Sequence, residues 1–105
     1  MCQDKKEAAY VFVTYAIKTP LMTYKLNTGH FPSTAQGLQV MITKPYNEPG
    51  WRGPYFEDSV KLVPLDPWNH PYHYSSPGKH NPTSYDVWSD GPDDIFGITH
   101  VIGNW

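Results

Sequence analysis

Four aspartates near the C-terminus are the residues whose type and spacing best suit a chemical role. They are, in chain order, Asp86, Asp90, Asp93 and Asp94. No Lys or Arg follows Lys79, so no cation nearby in the sequence neutralises them. Calcium binds six to eight oxygens from carboxylates and backbone carbonyls in loops, and segment 89–100 offers both, although not with EF-hand spacing. Two interpretations stay open at this point, a calcium loop and a solvated acidic turn.

Histidine and cysteine provide weaker candidates. His70 and His73 are three residues apart, and on an extended chain such residues point to opposite faces, so we do not expect them to share a metal. Cys2 is the single cysteine, which excludes an intrachain disulfide and leaves a poor nucleophile without a nearby base. No serine-hydrolase, zinc-protease, phosphate-loop or dinucleotide motif occurs in the chain. These absences favour a protein that is not an enzyme.

Aromatic residues are abundant, with 8 Tyr, 4 Trp and 4 Phe. Some of them could form a sugar-binding platform, namely Trp51, Tyr55, Trp68, Trp88 and Trp105. We favour a role in filling the core, because large rings supply most of the buried area in a small domain. A small carbohydrate-binding module remains the alternative from a different functional class.

Length and charge restrict the function further. At 105 residues the chain forms one domain, residues 1–105. Its net charge is -2, and no basic stretch is long enough to indicate binding to nucleic acid or to an anionic membrane surface. No run of about 18 apolar residues, the length that spans a bilayer, is present.

The N-terminal segment has helical periodicity from about Asp4 to Leu26. Two neighbouring stripes carry this pattern, one made of Ala8, Phe12, Tyr15, Met22 and Leu26, the other of Ile17, Leu21 and Tyr24. Pro20 predicts a kink near 16–20, because its ring clashes with the carbonyl of Ala16. Gly29 stands where a left-handed helix cap belongs.

The rest of the chain predicts a short helix, a loop and a sheet. Ser33 and Gln36 form a capping box that predicts a helix from about Thr34 to Thr43 within segment 27–59. Prolines, glycines and aromatic residues predict an ordered loop over 45–59. Alternating residues after position 60 predict three or four antiparallel strands in segment 60–105. The predicted fold class is α+β, a long N-terminal helix packed on a small antiparallel sheet.

Five segments, in order along the chain, resemble the type II secretion major pseudopilins, a family with a type IV pilin-like fold. The segments are YKLNTGHFPSTAQGL from Tyr24, DPWNHPYHY from Asp66, SSPGKH from Ser75, YDVWS from Tyr85 and IGNW from Ile102. Asn69 occupies a turn position that is Gly in the family pattern, and Asn tolerates the left-handed backbone that such a turn requires.

The resemblance implies both a fold and a function. It implies the helix-on-sheet fold and a structural subunit that polymerises into a periplasmic pseudopilus, which drives export of folded proteins across the outer membrane of Gram-negative bacteria. The implied partners are further copies, minor pseudopilins and an inner-membrane assembly platform. A type IV pilin-like subunit of another filament is the nearest alternative.

The family also implies a membrane segment. Its members begin with a short leader and an apolar helix, which a peptidase cleaves and methylates at its first residue. We expect this segment to precede Asp4 in the native protein, with Met1 an added start. Without it, we expect the 105-residue chain to be monomeric at ordinary concentrations.

Finally, the family binds calcium in the segment before IGNW. Ser89, Gly91 and Asp93 match that pattern, whereas Asp94 replaces a Gly and Val101 replaces a late acidic ligand. The resulting candidate ligands are Asp93, the carbonyls of Asp90 and Pro92, and a carboxylate of Asp90 or Asp94. Apolar packing of segment 95–102 is the competing expectation, in which no metal is bound.

Overall fold

A long helical segment opens the fold. The computed structural model describes residues 2–57, 59–92 and 100–105. Helix α1 covers Cys2–Val11, a π-helical turn covers Phe12–Ala16, and helix α2 covers Lys18–Thr28. The long N-terminal helix is therefore confirmed, with about one extra half-turn at each end. No helix among the described residues has the length and apolarity to cross a membrane.

The irregular part of this helix lies one turn before Pro20. The amide of Ile17 donates to the carbonyl of Phe12 at 3.1 Å, a step of five residues instead of four. Pro20 has no N–H for the carbonyl of Ala16, and its ring crowds that carbonyl. The structure has a π-helical turn directly before the predicted kink at 16–20, a form that usually occurs as a single wide turn within an α-helix.

The wide turn also keeps one helix face on the core. The buried residues Ala9, Val13, Ile17 and Leu21 are four apart. At 3.6 residues per turn, each four-residue step rotates about 40° from the last, so a regular helix would carry these side chains off the core. The π-helical turn takes up part of this rotation. Of the two predicted stripes, the one containing Ile17 and Leu21 faces the core, whereas Tyr15 and Leu26 of the other are exposed.

Gly29 ends helix α2 as predicted. Its φ is 91°, and its amide donates to the carbonyl of Lys25 at 2.7 Å. Only glycine adopts this left-handed conformation without steric cost.

The predicted helix over 34–43 is wrong. The two capping-box bonds do form, because the Ser33 amide donates to Gln36 Oε1 at 2.9 Å and the Gln36 amide donates to Ser33 Oγ at 3.1 Å. Gly37 then takes φ 68° and ψ -168°, which no helix permits. Only a four-residue 3-10 helix follows, Leu38–Met41. This short helix places Leu38 and Met41 in the core cluster, together with residues of the long helix.

In the part of the chain that the structure describes, three short antiparallel strands form a sheet. Strand β1 covers His73–Ser75, β2 covers Asp86–Ser89 and β3 covers Ile102–Gly103, in the spatial order β1-β2-β3. This confirms the predicted antiparallel sheet. Val87 of β2 is fully buried and joins the core cluster with the helix. Since neighbouring residues point to opposite faces of a strand, Trp88 lies on the outer face.

Hydrogen bonds hold the loop over 45–57 against the 3-10 helix and the end of helix α2. Trp51 Nε1 donates to the carbonyl of Val40 at 2.6 Å, and Asn27 Nδ2 donates to the Tyr55 hydroxyl at 2.9 Å. A Cβ at Gly50 would collide with the carbonyl of Asn27, so the loop approaches the helix too closely for any larger residue. The described part of this loop is therefore ordered by aromatic packing and hydrogen bonds.

Candidate functional site

The first aspartate of the acidic cluster, Asp86, has a structural role. It is 1% exposed, and it accepts hydrogen bonds from the His80 amide at 2.9 Å and from the Asn81 amide and side chain at 3.0 and 2.8 Å. Burial alone would raise the pKa of its carboxyl, but these donors outweigh burial and hold the pKa below the ordinary 3.8. Asp86 therefore anchors the turn after Gly78 and has little capacity left for a metal.

A second buried carboxylate, Asp66, organises the turn that opens the DPW segment. Its Oδ1 accepts the amides of Trp68 and His70 at 3.0 and 2.8 Å, which is an extended Asx turn. Its Oδ2 accepts the Ser89 hydroxyl at 2.7 Å. Asn69 has φ 66°, the left-handed conformation predicted for it. Sequence reasoning recognised this turn but missed Asp66, although Asp before Pro at a tight turn is itself a signal for side-chain capping.

The third aspartate, Asp90, joins the two ends of the segment that precedes β3. Its Oδ2 accepts a hydrogen bond from His73 Nε2 at 2.8 Å. Its carbonyl accepts the amide of His100 at 3.1 Å. The next amide, that of Gly91, donates to Ser89 Oγ at 3.0 Å. Gly91 has φ 72° and lies directly against the His100 carbonyl, where a Cβ would not fit. Protein groups thus bring residues 90 and 100 together.

The structure places only part of the predicted calcium site. Asp93 and Asp94 lie outside the described residues, which include Asp90 and Pro92. The carboxylate and the carbonyl of Asp90 each accept a hydrogen bond from the protein, and the half-exposed side chain of Val101 has no ligating atom. Within residues 2–57, 59–92 and 100–105, no three His, Cys, Asp or Glu side chains are grouped to hold a metal ion. The predicted calcium site therefore stays a prediction.

The two histidines considered as a metal pair have separate roles. His73 stacks on Trp88 with ring centroids 5.3 Å apart and bonds to Asp90. His70 is exposed and contributes its backbone amide to Asp66. The structure does not bring their rings to one point.

The aromatic residues do not form one sugar-binding platform. Trp51 and Tyr55 pack against the hydrophobic core. Trp88 and Trp105 are close on the outer face of the sheet, with ring centroids 6.0 Å apart. His80 stacks on Trp105 at 3.9 Å, and the benzo ring of Trp105 also lies over Gly103. These two contacts occupy part of the indole, and Trp105 stays 50% exposed.

Comparison with known proteins decides the family. A family model described as "Type II secretion system (T2SS), protein G" matches residues 3–105. The chain belongs to this family. It is 35% identical over 102 residues to type II secretion system core protein G of Pectobacterium carotovorum subsp. carotovorum, covering 97% of this chain and 63% of that relative. It is 39% identical over 90 residues to the core protein G of Klebsiella michiganensis, covering 86% of this chain and 62% of the relative.

A solved structure supports the same assignment. The crystal structure of the major pseudopilin from the type 2 secretion system of enterohaemorrhagic Escherichia coli matches with a TM-score of 0.74 and 30% identity, covering 98% of this chain and 84% of that one. The resemblance to the pseudopilin family is thereby confirmed. The chain spans less than two thirds of the length of the two core protein G relatives given above.

The IGNW end of this protein G family member has a structural explanation that sequence reasoning missed. Asn104 Oδ1 accepts the Val87 amide at 3.0 Å, and its Nδ2 donates to the Tyr85 carbonyl at 3.1 Å. The Asn104 amide donates to the Val87 carbonyl at 3.1 Å. The side-chain amide thus pairs with β2 as a further strand residue would. Asn suits this position because its carbonyl accepts while its NH₂ donates.

Proposed function

We propose that this chain is the globular part of a structural subunit of the type II secretion pseudopilus. The observation that carries the proposal is the family match over residues 3–105, together with the likeness to a major pseudopilin over 98% of the chain. In this proposal, copies polymerise in the periplasm and their growth drives export of folded proteins across the outer membrane. The subunit itself catalyses no reaction and binds no nucleic acid.

The outer face of the long helix supports a filament role. Five of its exposed residues are large and hydrophobic, namely Tyr10, Val11, Tyr15, Met22 and Leu26, with exposed fractions of 49, 45, 67, 44 and 82%. A helix packed on a sheet normally presents a polar face to water, so an apolar outer face indicates a contact that one copy alone does not make. We assign this surface, named here the outer stripe, to contact with neighbouring copies in the filament.

The remaining partners follow from the same proposal. A segment preceding Asp4 anchors the subunit in the inner membrane, while the domain described here lies in the periplasm of a Gram-negative cell. Minor pseudopilins and the inner-membrane assembly platform are its other partners. Each of these contacts belongs to the whole subunit, which is longer than this chain in the relatives that it matches.

Deletion and complementation test the proposal. Deleting the native gene should leave secreted proteins folded in the periplasm, and the full-length gene should restore export. Export is expected to fail when the full-length gene carries Met22→Asp with Leu26→Asp. Both side chains are 44% exposed or more, so the double variant should still fold and melt normally. Leu62→Asp, at a position 75% exposed outside the helix, is the matched control and should export normally. Normal export by the deletion strain would reject the proposed function.

A further inference from the structure

We propose that Tyr46 of one copy inserts into a groove beside strand β1 of a neighbouring copy, and that this contact helps to hold the filament together. The groove is named here the β1 groove. Its hydrophobic lining is made of Leu38, Val63, Pro64, Leu65, Tyr72 and Tyr74. The inference rests on the proposed function, since it names a contact between subunits of the pseudopilus, and it adds a second contact to that of the outer stripe.

The side chain of Tyr46 projects fully into solvent. It is 98% exposed, the highest fraction among the large hydrophobic residues exposed in the described part of the chain. It lies in a turn with Asn47, whose φ of 63° is the left-handed conformation that Asn adopts more readily than most residues. Because a large aromatic ring can bury about 150–250 Å², an exposed tyrosine gains much when a partner covers it.

Hydrogen bonds order the loop that carries Tyr46. Glu48, two residues further on, is bonded to His30 Nε2 at 3.1 Å, and its carbonyl accepts the Trp51 amide at 3.1 Å. The Trp51 side chain in turn donates to the Val40 carbonyl at 2.6 Å. A side chain carried by an ordered loop loses less conformational entropy on binding, so more of the energy of its burial remains as affinity. This arrangement suits Tyr46 to the role of an interface anchor.

The β1 groove has the size and the polarity that a tyrosine side chain requires. Its volume is about 300 Å³, at the lower end of the range for ligand pockets. Leu65, on its wall, is 53% exposed. Strand β1 lies at the edge of the described sheet, so one row of its backbone N–H and C=O groups does not pair with β2. Apolar walls suit the tyrosine ring, and the strand edge provides partners for its hydroxyl.

The charges of the two surfaces favour a second copy as the partner. Segment 44–52 carries two exposed cations, Lys44 and Arg52, and one acid, Glu48, which is only 13% exposed. At the groove, His73 is bonded at 2.8 Å to Asp90, whose carboxylate is 46% exposed. The loop is therefore basic where the groove is acidic, a complementarity that favours encounter. Because the two surfaces differ, the contact continues from copy to copy instead of closing a dimer.

Cysteine cross-linking in cells tests the contact directly. The full-length gene carries Cys2→Ser, and Tyr46→Cys and Leu65→Cys are added singly or together. A short bismaleimide should join the double variant into a ladder of dimers, trimers and longer chains, because each copy then carries both surfaces. Each single variant should stay monomeric, and the two single variants expressed together should give dimers only.

A matched control replaces Leu65→Cys by Thr83→Cys, at an exposed position outside the lining of the groove. Combined with Tyr46→Cys, it should give no ladder. The proposal would be overturned by the absence of a ladder in the Tyr46→Cys, Leu65→Cys variant, by dimers of Tyr46→Cys alone, or by an equal ladder with Thr83→Cys.

Export provides the second test. Tyr46→Ala should lower export at least about fivefold, the effect of truncating an interface anchor. Tyr46→Phe keeps the ring and should export nearly as well as the original. Both variants should melt like the original, because this side chain is 98% exposed. Normal export by Tyr46→Ala would overturn this inference and leave the proposed function standing, whereas normal export by the deletion strain would reject both.

Discussion

The Asp66 carboxylate accepts the Ser89 hydroxyl at 2.7 Å, a contact that joins two parts of the chain 23 residues apart. It links the DPW turn to the end of strand β2, and both side chains are at most 3% exposed. Two sequence blocks that look like separate family signatures are therefore one hydrogen-bonded unit.

The first prediction follows from this unit. Asp66→Ala removes the acceptor for three donors, those of Trp68, His70 and Ser89. Leaving a buried donor unpaired costs about 1–3 kcal/mol. Only the Ser89 bond is fully buried and the other two are part-buried, so we expect a loss of about 2–4 kcal/mol in the free energy of unfolding. Urea denaturation measures it, with exposed Asp4→Ala as the control. A loss below about 1 kcal/mol, the size of a surface effect, would contradict this role.

The second prediction compares two buried tyrosines. Among the described residues, the Tyr24 hydroxyl is buried without a hydrogen-bond partner, whereas the Tyr74 hydroxyl donates to the Pro32 carbonyl at 2.6 Å. Tyr24→Phe removes an unpaired polar group, so stability should stay within about 0.5 kcal/mol of the original or rise. Tyr74→Phe should cost about 1 kcal/mol. Parallel urea titrations measure both, and equal losses would refute the distinction.

The third prediction concerns acid stability. The donors around Asp86 hold its pKa in the folded chain below 3.8, its ordinary value. Its stabilising contribution is fully present above the unfolded pKa and is lost as pH falls through the lower folded pKa, because the unfolded state then binds more protons. We therefore expect stability to fall below about pH 4, and Asp86→Asn to weaken that dependence. Unfolding free energies at several pH values between 2.5 and 6, chosen roughly to bracket the ordinary Asp pKa, measure it. An unchanged slope in the variant would contradict the assignment.

The fourth prediction concerns alkaline stability. Burial, followed by the nearby charge of Asp66, raises the pKa of Tyr72 to about 12 from 10.0. A raised folded pKa means that this contribution is present below the unfolded value of 10.0 and is lost as pH rises towards 12. Ultraviolet titration of the folded chain should show late-ionising tyrosines, with one fewer in Tyr72→Phe. If every tyrosine ionised near pH 10 while the chain stayed folded, this prediction would fail.

The fifth prediction is that the 105-residue chain is monomeric at micromolar concentrations. A standard stable interface buries roughly 1,200–2,000 Å² in total, from about 20–30 residues on each side. The outer stripe provides only five large side chains on one helix. Weak contacts of this kind become effective when subunits are held close together by other means. Sedimentation velocity measures the state, and a tight dimer or trimer would contradict the prediction.

Sequence patterns predicted those features that depend on neighbouring residues. The helix over 4–26, its Gly29 cap, the capping-box bonds of Ser33 and Gln36, and the left-handed Asn69 turn each depend on residues within about two turns of one another. The alternation after residue 60 predicted strands for the same reason. The resemblance to the pseudopilin family added the packing of the helix on the sheet, which local periodicity does not predict.

Tertiary structure alone decided which residues these elements bring together. The Ser33 capping box forms its bonds, yet Gly37 ends the turn so that Leu38 can pack on the long helix instead of continuing a helix to Thr43. The described aspartates of the acidic cluster likewise have separate partners. Asp86 accepts hydrogen bonds from the amides of residues 80 and 81, and Asp90 accepts one from His73, 17 residues earlier. The sequence shows which charged residues lie near one another along the chain. The hydrogen-bond partners of a buried or half-buried carboxylate depend instead on which parts of the chain the fold brings together. That is why the sequence by itself determined the long helix, its cap and the sheet that follows, and only the folded chain determined the roles of Asp66, Asp86 and Asn104.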